Sequence, residues 1–324
     1  GSFRVGGGLG VGAAIEMDLS VFNTGADVDS CENEGTILLN SPISQNQTNV
    51  SFAGIAGRVA MGANGVIKNC ENRGTITFGS NHLAAKKSMD AAGIASNTNC
   101  KIENCINRGT ITFKNLVATA DYNAGNVFYS AGIGGIAGLS SNQIVGCENY
   151  GSIIAEENSL NPRTSSSWYR FGGLVGNASA GCYVTGGVAN GTIEIDANSK
   201  QYDGIFYGGG VIGFVAGVSP VAYVVKDCTV DATISIPALT KVGMVMGNPW
   251  ADIAAKYTPA DATAEFPVMG CKIDGSFARS GKEIDDVTES NFHEVIYSDT
   301  PTVETWVPVV GEDEVTRYHG NYGV

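Results

Sequence analysis

A nine-residue block recurs seven times along this 324-residue chain, and no other feature restricts the fold as strongly. Its first copy runs from Asp29 to Ile37 and reads Asp-Ser-Cys-Glu-Asn-Glu-Gly-Thr-Ile. Later copies are centred on Cys70, Cys105, Cys147, Gly187 in place of a cysteine, Cys228 and Cys271, at spacings of 39, 35, 42, 40, 41 and 43 residues. A second block of glycine and small apolar residues precedes each copy. It appears as Gly54-Ile-Ala-Gly57, Gly93-Ile-Ala-Ser96, Gly135-Ile-Ala-Gly138, Gly173-Leu-Val-Gly176 and Gly210-Val-Ile-Gly213, and more loosely as Gly243-Met-Val-Met-Gly247. The stretch Gly6 to Gly12 reads as its first copy. Fixed blocks with spacers of varying length are the signature of a solenoid with insertions on one side.

Aligning the copies gives columns. Three residues before the cysteine stand Val28, Ile67, Ile102, Ile144, Val184, Val225 and Val268. Six after it stand Ile37, Ile76, Ile111, Ile153, Ile193, Ile234 and Phe277. Most are β-branched, the composition of buried strands rather than helices. Two after the cysteine, Asn33, Asn72, Asn107 and Asn149 give way to Ala189, Val230 and Ile273. A column that changes from amide to aliphatic faces inward, so an internal asparagine ladder is expected in the early units. Each unit reads as three short strands, with the repeat glycines supplying positive-φ corners between them. The expected fold is all-β: a single-stranded parallel β-helix, taken as right-handed, of about seven coils. The coils cover residues 1–281 and a cap covers 282–324, with a short helix or turn over 286–297 and an extended segment over 303–310. The chain begins inside a glycine block, as a piece of a larger protein would.

These residues resemble the GLUG-repeat family, whose signature is glycine-glycine-leucine-valine-glycine, a spacer, then asparagine-cysteine and a glycine turn. Phe171 to Asn177 matches the first half and Ile102 to Cys105 the second, and the resemblance spans roughly residues 5–280. It implies a secreted or surface-attached bacterial repeat protein of adhesin-like type, with no catalytic residues to transfer.

The remaining signals narrow the chemistry. With 19 basic against 32 acidic residues, a net charge of -13 argues against nucleic acid or anionic membrane as partner. No apolar run reaches the roughly 20 residues that span a bilayer. Three scattered histidines, His82, His293 and His319, leave little for a zinc or nucleophile site, so no metal, cofactor or catalytic residue is expected. Six of the eight cysteines share one column, while Cys100 and Cys182 each lie five residues before it. Parallel stacking aims neighbouring Cβ vectors the same way, which disfavours disulfides, and a ladder of buried free thiols is expected instead. The acids Asp27, Asp29, Glu32 and Glu34, and again Glu283, Asp285, Asp286 and Glu289, read as solvated faces. Arg73 and Arg108 share one outward turn position and need acids beside them, with Glu71, Glu103 and Asp90 as candidates. No carboxylate pair stands out from the repeat.

The insertions, residues 38–50, 79–91, 114–131, 155–170 and 196–207, should gather on one side and are rich in aromatics. Tyr122, Tyr129, Trp168, Tyr169, Tyr202 and Tyr207 are the candidate binding residues for a glycan or a host or matrix protein. Residues next to the glycines, Phe52 and Phe171 among them, can instead extend the first strand. The expected function is a non-enzymatic extracellular or cell-surface rod that presents a ligand-binding face. The alternatives are a polysaccharide lyase or glycoside hydrolase on the same fold, or a structural spacer. An exposed acid pair in a groove favours the enzyme, and a flat, ordered aromatic patch favours the adhesin.

Overall fold

The computed structural model describes residues 27–39, 49–59, 64–78, 88–113, 130–156, 168–195, 205–217, 219–221, 223–236, 240–247, 268–273, 276–279, 282–284, 308–310 and 316–318. Among these the chain is all-β with no helix, and its parallel sheets stack as a β-solenoid. A coil described in full contains five strands rather than three. In the second coil these are Asn49–Ala53 on sheet I, Ala56–Val59 on sheet II, Val66–Lys68 on sheet III, Glu71–Asn72 on sheet IV and Thr75–Phe78 on sheet V. Sheet IV is seven strands deep, and five coils between Asn49 and Ile236 pass through all five sheets. The repeat interval is the pairing register: Ile67 lies beside Val28 and Ile102, and Ile144 beside Val184. Sheet I is built from residues expected to end the insertions, so strand extension wins there.

The extra corners have two causes. Between sheets III and IV the chain turns at the residue before the cysteine. Ser30, Asn69, Asn104, Gly146, Gly186, Asp227 and Gly270 there all have φ between 51° and 64°. Left-handed backbone suits Gly and is tolerated by Asn, Asp and other short polar residues, which explains the composition of this column. The glycines of the glycine-rich block and the turn glycine four residues after the cysteine were expected to hold positive-φ corners and, among the described residues, do not. They are needed for close approach: a Cβ on Gly93 would lie 2.2 Å from Asn107 Oδ1 and 2.4 Å from the Gly135 carbonyl oxygen. A Cβ on Gly109 would lie 2.1 Å from the Gly74 carbonyl oxygen. Two glycine columns therefore press against the amide ladder, one at its oxygens and one at its nitrogens.

The asparagine ladder is inside, as its aliphatic replacements require. Asn33 donates to Asn72 (2.7 Å), Asn72 to Asn107 (2.8 Å) and Asn107 to Asn149 (2.7 Å). Each inner amide also bonds the glycine two residues on; Asn107 accepts from Gly109 N–H and donates to its carbonyl. Both donors and both acceptor sites of Asn107 are thereby used. In sheet V, Phe78 stacks on Phe113 at 4.7 Å and Phe52 meets Phe78 edge-on at 5.1 Å. Where Gly187 lacks the cysteine side chain, Leu174 fills the gap, its Cδ1 being 2.6 Å from where a Cβ would sit.

All eight cysteines are free thiols. The column is knitted by backbone N–H donors, Cys31 to Cys70 Sγ (3.5 Å), Cys70 to Cys105 Sγ (3.4 Å) and Cys105 to Cys147 Sγ (3.5 Å). Every thiol except Cys31 is at most 6% exposed. Burial pushes Cys182 up to about 12, and the neighbouring thiol together with burial raises Cys70 further. A thiol-reactive dye at mildly alkaline pH should therefore titrate about one group in the native protein and all eight in denaturant. Rapid labelling of three or more native thiols would contradict a closed column.

Beyond the last coil the pairing reverses. Lys282–Ile284 runs antiparallel to Ser276–Arg279, and Thr316–Tyr318 runs antiparallel to both Val268–Met269 and Pro308–Val310. Antiparallel strands at these positions occupy the edges that another parallel coil would use. Residues 286–297 lie outside the described residues.

Candidate functional site

The expected binding residues divide three ways. Tyr122, Tyr129 and Tyr202 lie outside the described residues. Trp168 opens the sheet I strand Trp168–Gly172. Tyr169 and Tyr207 are 5% exposed, which removes them from any exposed aromatic ridge. Sheet I continues backwards into the insertions; Tyr169 joins the hydrophobic core with Phe171, while Tyr207, in register with Arg170, is buried on the opposite face of the sheet.

An ordered aromatic patch occurs instead on the outward face of sheet III. Val184 of this sheet is fully buried, so Tyr183 beside it alternates outward, whereas in the next coil Val224 and Val225 are both buried and Tyr223 lies one residue before that pair. Tyr183 and Tyr223, from adjacent coils, are half-buried there with ring centroids 5.7 Å apart and planes at 90°. Tyr183 Oη donates to Gln143 Oε1 (2.8 Å), and Thr185 Oγ1 donates to Tyr223 Oη (3.3 Å). Lys226 Nζ sits 5.6 Å from the Tyr223 ring centroid. Val145 lies beside Thr185 in register, and Thr185 beside Lys226. The charges around the rings offset one another, Lys101 with Glu103 at 2.8 Å and Lys226 with Asp227 at 3.8 Å. The available sequence signal was alternation: Tyr183 immediately precedes the inward Val184.

At the next corner a charged row borders this face. Glu71 accepts from both Arg73 and Arg108 at 2.9 Å, and Arg73 also approaches Glu32 at 3.4 Å. Glu71 is thus the partner of both arginines. Glu103 pairs with Lys101 instead, and Asp90 is inside the protein. The Arg73 hydrogen bond, followed by that from Arg108, holds the Glu71 carboxyl below its usual range. Arg108 also lies over Tyr150, 4.7 Å from its centroid, and Tyr150 is 39% exposed. Such exposed pairs add little to stability.

One carboxylate does break the repeat. Asp90, Gly132, Arg170 and Tyr207 occupy the same register position in successive strands of sheet I. Asp90 is 3% exposed and Arg170 5%. Asn97 Nδ2 donates to Asp90 Oδ2 (3.0 Å), the Gly132 N–H bonds the same carboxylate, and Arg170 lies 4.7 Å from the Phe214 ring centroid. Burial pushes Asp90 up to about 7, opposed by Asn97, Arg170, Gly132 and Arg58. Burial likewise lowers Arg170 to about 10. The acid's unfolded value is 3.8. Between that value and about 7 the folded protein keeps a proton that the unfolded chain has released, so stability falls as pH rises through this window. The effect is up to about 4 kcal/mol. Melting temperature should drop by several degrees from about pH 5 to about pH 8, and Asp90→Asn, which keeps a polar group in place, should flatten that profile. An unchanged slope in the variant would assign the effect elsewhere.

Among the described residues, no three His, Cys, Asp or Glu side chains come together as metal ligands, and no helix is long and apolar enough to cross a membrane. No family model matches the chain, and no match was found among curated proteins or solved structures. Any functional assignment therefore stands on the residues of this chain.

Proposed function

We propose that this is a non-enzymatic, adhesin-like bacterial protein, extracellular or attached to the cell surface, whose solenoid displays a ligand-binding face. The observation that carries this reading is the tyrosine patch on sheet III, with both hydroxyls tethered to neighbouring side chains. Aromatic rings held in place on a stiff sheet lose little conformational freedom on binding, which is what recognition surfaces exploit. The resemblance of the repeats to the GLUG family supports the surface location. The parallel thiol column is compatible with an oxidising exterior, because stacked cysteines point the same way. Against the enzyme alternative, the one carboxylate that departs from the repeat, Asp90, is closed to substrate along with Arg170.

Purified protein screened against immobilised glycans and matrix proteins, with and without calcium, should bind at least one member. Tyr183→Ala/Tyr223→Ala should lose that binding while melting near the parent temperature. Silence across the panel from folded protein would leave the spacer, and cleaved glycan products would bring back the enzyme.

A further inference from the structure

We infer that the sheet III patch takes an uncharged polysaccharide laid along the solenoid axis; the inference rests on the binding-face reading above. Gln143, Tyr183 and Tyr223 come from three successive coils, so they ascend the axis at about 4.8 Å per step, close to the length of one hexose ring in a chain. The two rings stand at 90° to one another, so the apolar face of a sugar rests on one ring and meets the edge of the other, and half-buried Val145 adds apolar surface beside Thr185. The polar groups beside the rings suit hydroxyls. Gln143 receives the Tyr183 hydroxyl through its carbonyl oxygen and keeps its amide nitrogen for an acceptor, while Thr185 and Tyr223 form a hydroxyl pair.

Charge decides against the other candidates. A polyanionic glycan needs cations with charge to spare, yet Lys101 and Lys226 each have an acid within 4 Å and the whole chain carries -13. A folded protein partner needs about 800 Å² on each side, far more than two rings and a valine provide. Linear and neutral, a polysaccharide matches a narrow ledge to which successive coils each contribute a polar or aromatic side chain.

Affinity electrophoresis of the intact protein through gels cast with hydroxyethylcellulose, laminarin, galactomannan, alginate or heparin tests this. Retardation is expected in at least one neutral gel, unchanged by high salt, and about tenfold weaker in Tyr183→Ala and in Tyr223→Ala. Tyr223→Phe, which keeps the ring and removes only the hydroxyl, should lose about two- to threefold. Retardation only by alginate or heparin, or neutral binding that both alanine variants retain, would overturn the inference. Binding to a matrix protein with no polysaccharide retarding the protein would overturn it while leaving the adhesin reading intact. Folded protein that binds neither kind of probe would remove both.

Discussion

Gly93→Ala should be among the most damaging single-methyl changes in this chain, costing more than about 4 kcal/mol or preventing folding. The new Cβ would meet Asn107 Oδ1 at 2.2 Å and the Gly135 carbonyl oxygen at 2.4 Å. Neither can retreat. The amide is held above and below by the ladder, and the carbonyl accepts the Gly93 N–H from the next coil at 3.0 Å. Relief would require two coils to separate, breaking pairing across several sheets, which is why the expected cost exceeds the usual penalty for overpacking. Gly54 and Gly135 occupy the equivalent position and face the same two obstacles. The control is Gly57→Ala, where the nearest atom to the new methyl is the Ser51 carbonyl oxygen at 3.5 Å, an ordinary contact. Urea denaturation followed by circular dichroism should separate the two variants widely. If Gly93→Ala unfolds within about 1 kcal/mol of Gly57→Ala, the glycine columns are not set by close approach.

The second large effect is expected at Asn107→Ala. This side chain uses all four hydrogen-bonding positions, two with neighbouring ladder amides and two with Gly109. Truncation leaves a donor on Asn72 and an acceptor on Asn149 without their partner and strips the Gly109 carbonyl of the amide, while the Gly109 N–H keeps the Asn72 carbonyl at 3.1 Å, all in a place water does not reach. At about 1–3 kcal/mol for each buried group left unsatisfied, a loss of about 4 kcal/mol is expected. Asn33→Ala removes the half-buried end of the same ladder, and about 1 kcal/mol should suffice there. Replacing all four asparagines with valine should recover much of what the single change loses, since the later coils carry Ala189 and Val230 in register with Asn149. A polar column that is wholly replaced leaves nothing unpaired. Equal losses at Asn33 and Asn107 would mean the amides act as separate side chains rather than as a ladder.

Much of the solenoid was legible in the residue columns. The seven-fold block set the pairing register, the β-branched positions identified the strands, and the change from Asn149 to Ala189 revealed an inward face. The thiol column could be anticipated because the parallel register alone determines how stacked cysteines are aimed. Each of these is a nearest-neighbour rule between adjacent coils, and a repeated sequence states such a rule once per copy.

What the repeat could not state was decided between sheets and between distant coils. One of the two extra strands arises because Asn69, Asn104, Asp227 and their equivalents bend the chain at a left-handed residue between sheets III and IV. Sheet I reaches back into residues outside the repeat, so whether Tyr169 lies inside or outside depended on where that strand starts. The outward tyrosines meet because Tyr183 and Tyr223, 40 residues apart, belong to neighbouring coils. Asp90 and Arg170 are 80 residues apart and share a register position two strands from one another across Gly132. Insertion lengths separate such residues unpredictably along the chain, whereas backbone pairing returns them to the same position in the sheet. Periodicity therefore determined the columns of the interior, and tertiary stacking decided which non-periodic side chains became neighbours and whether solvent could reach them.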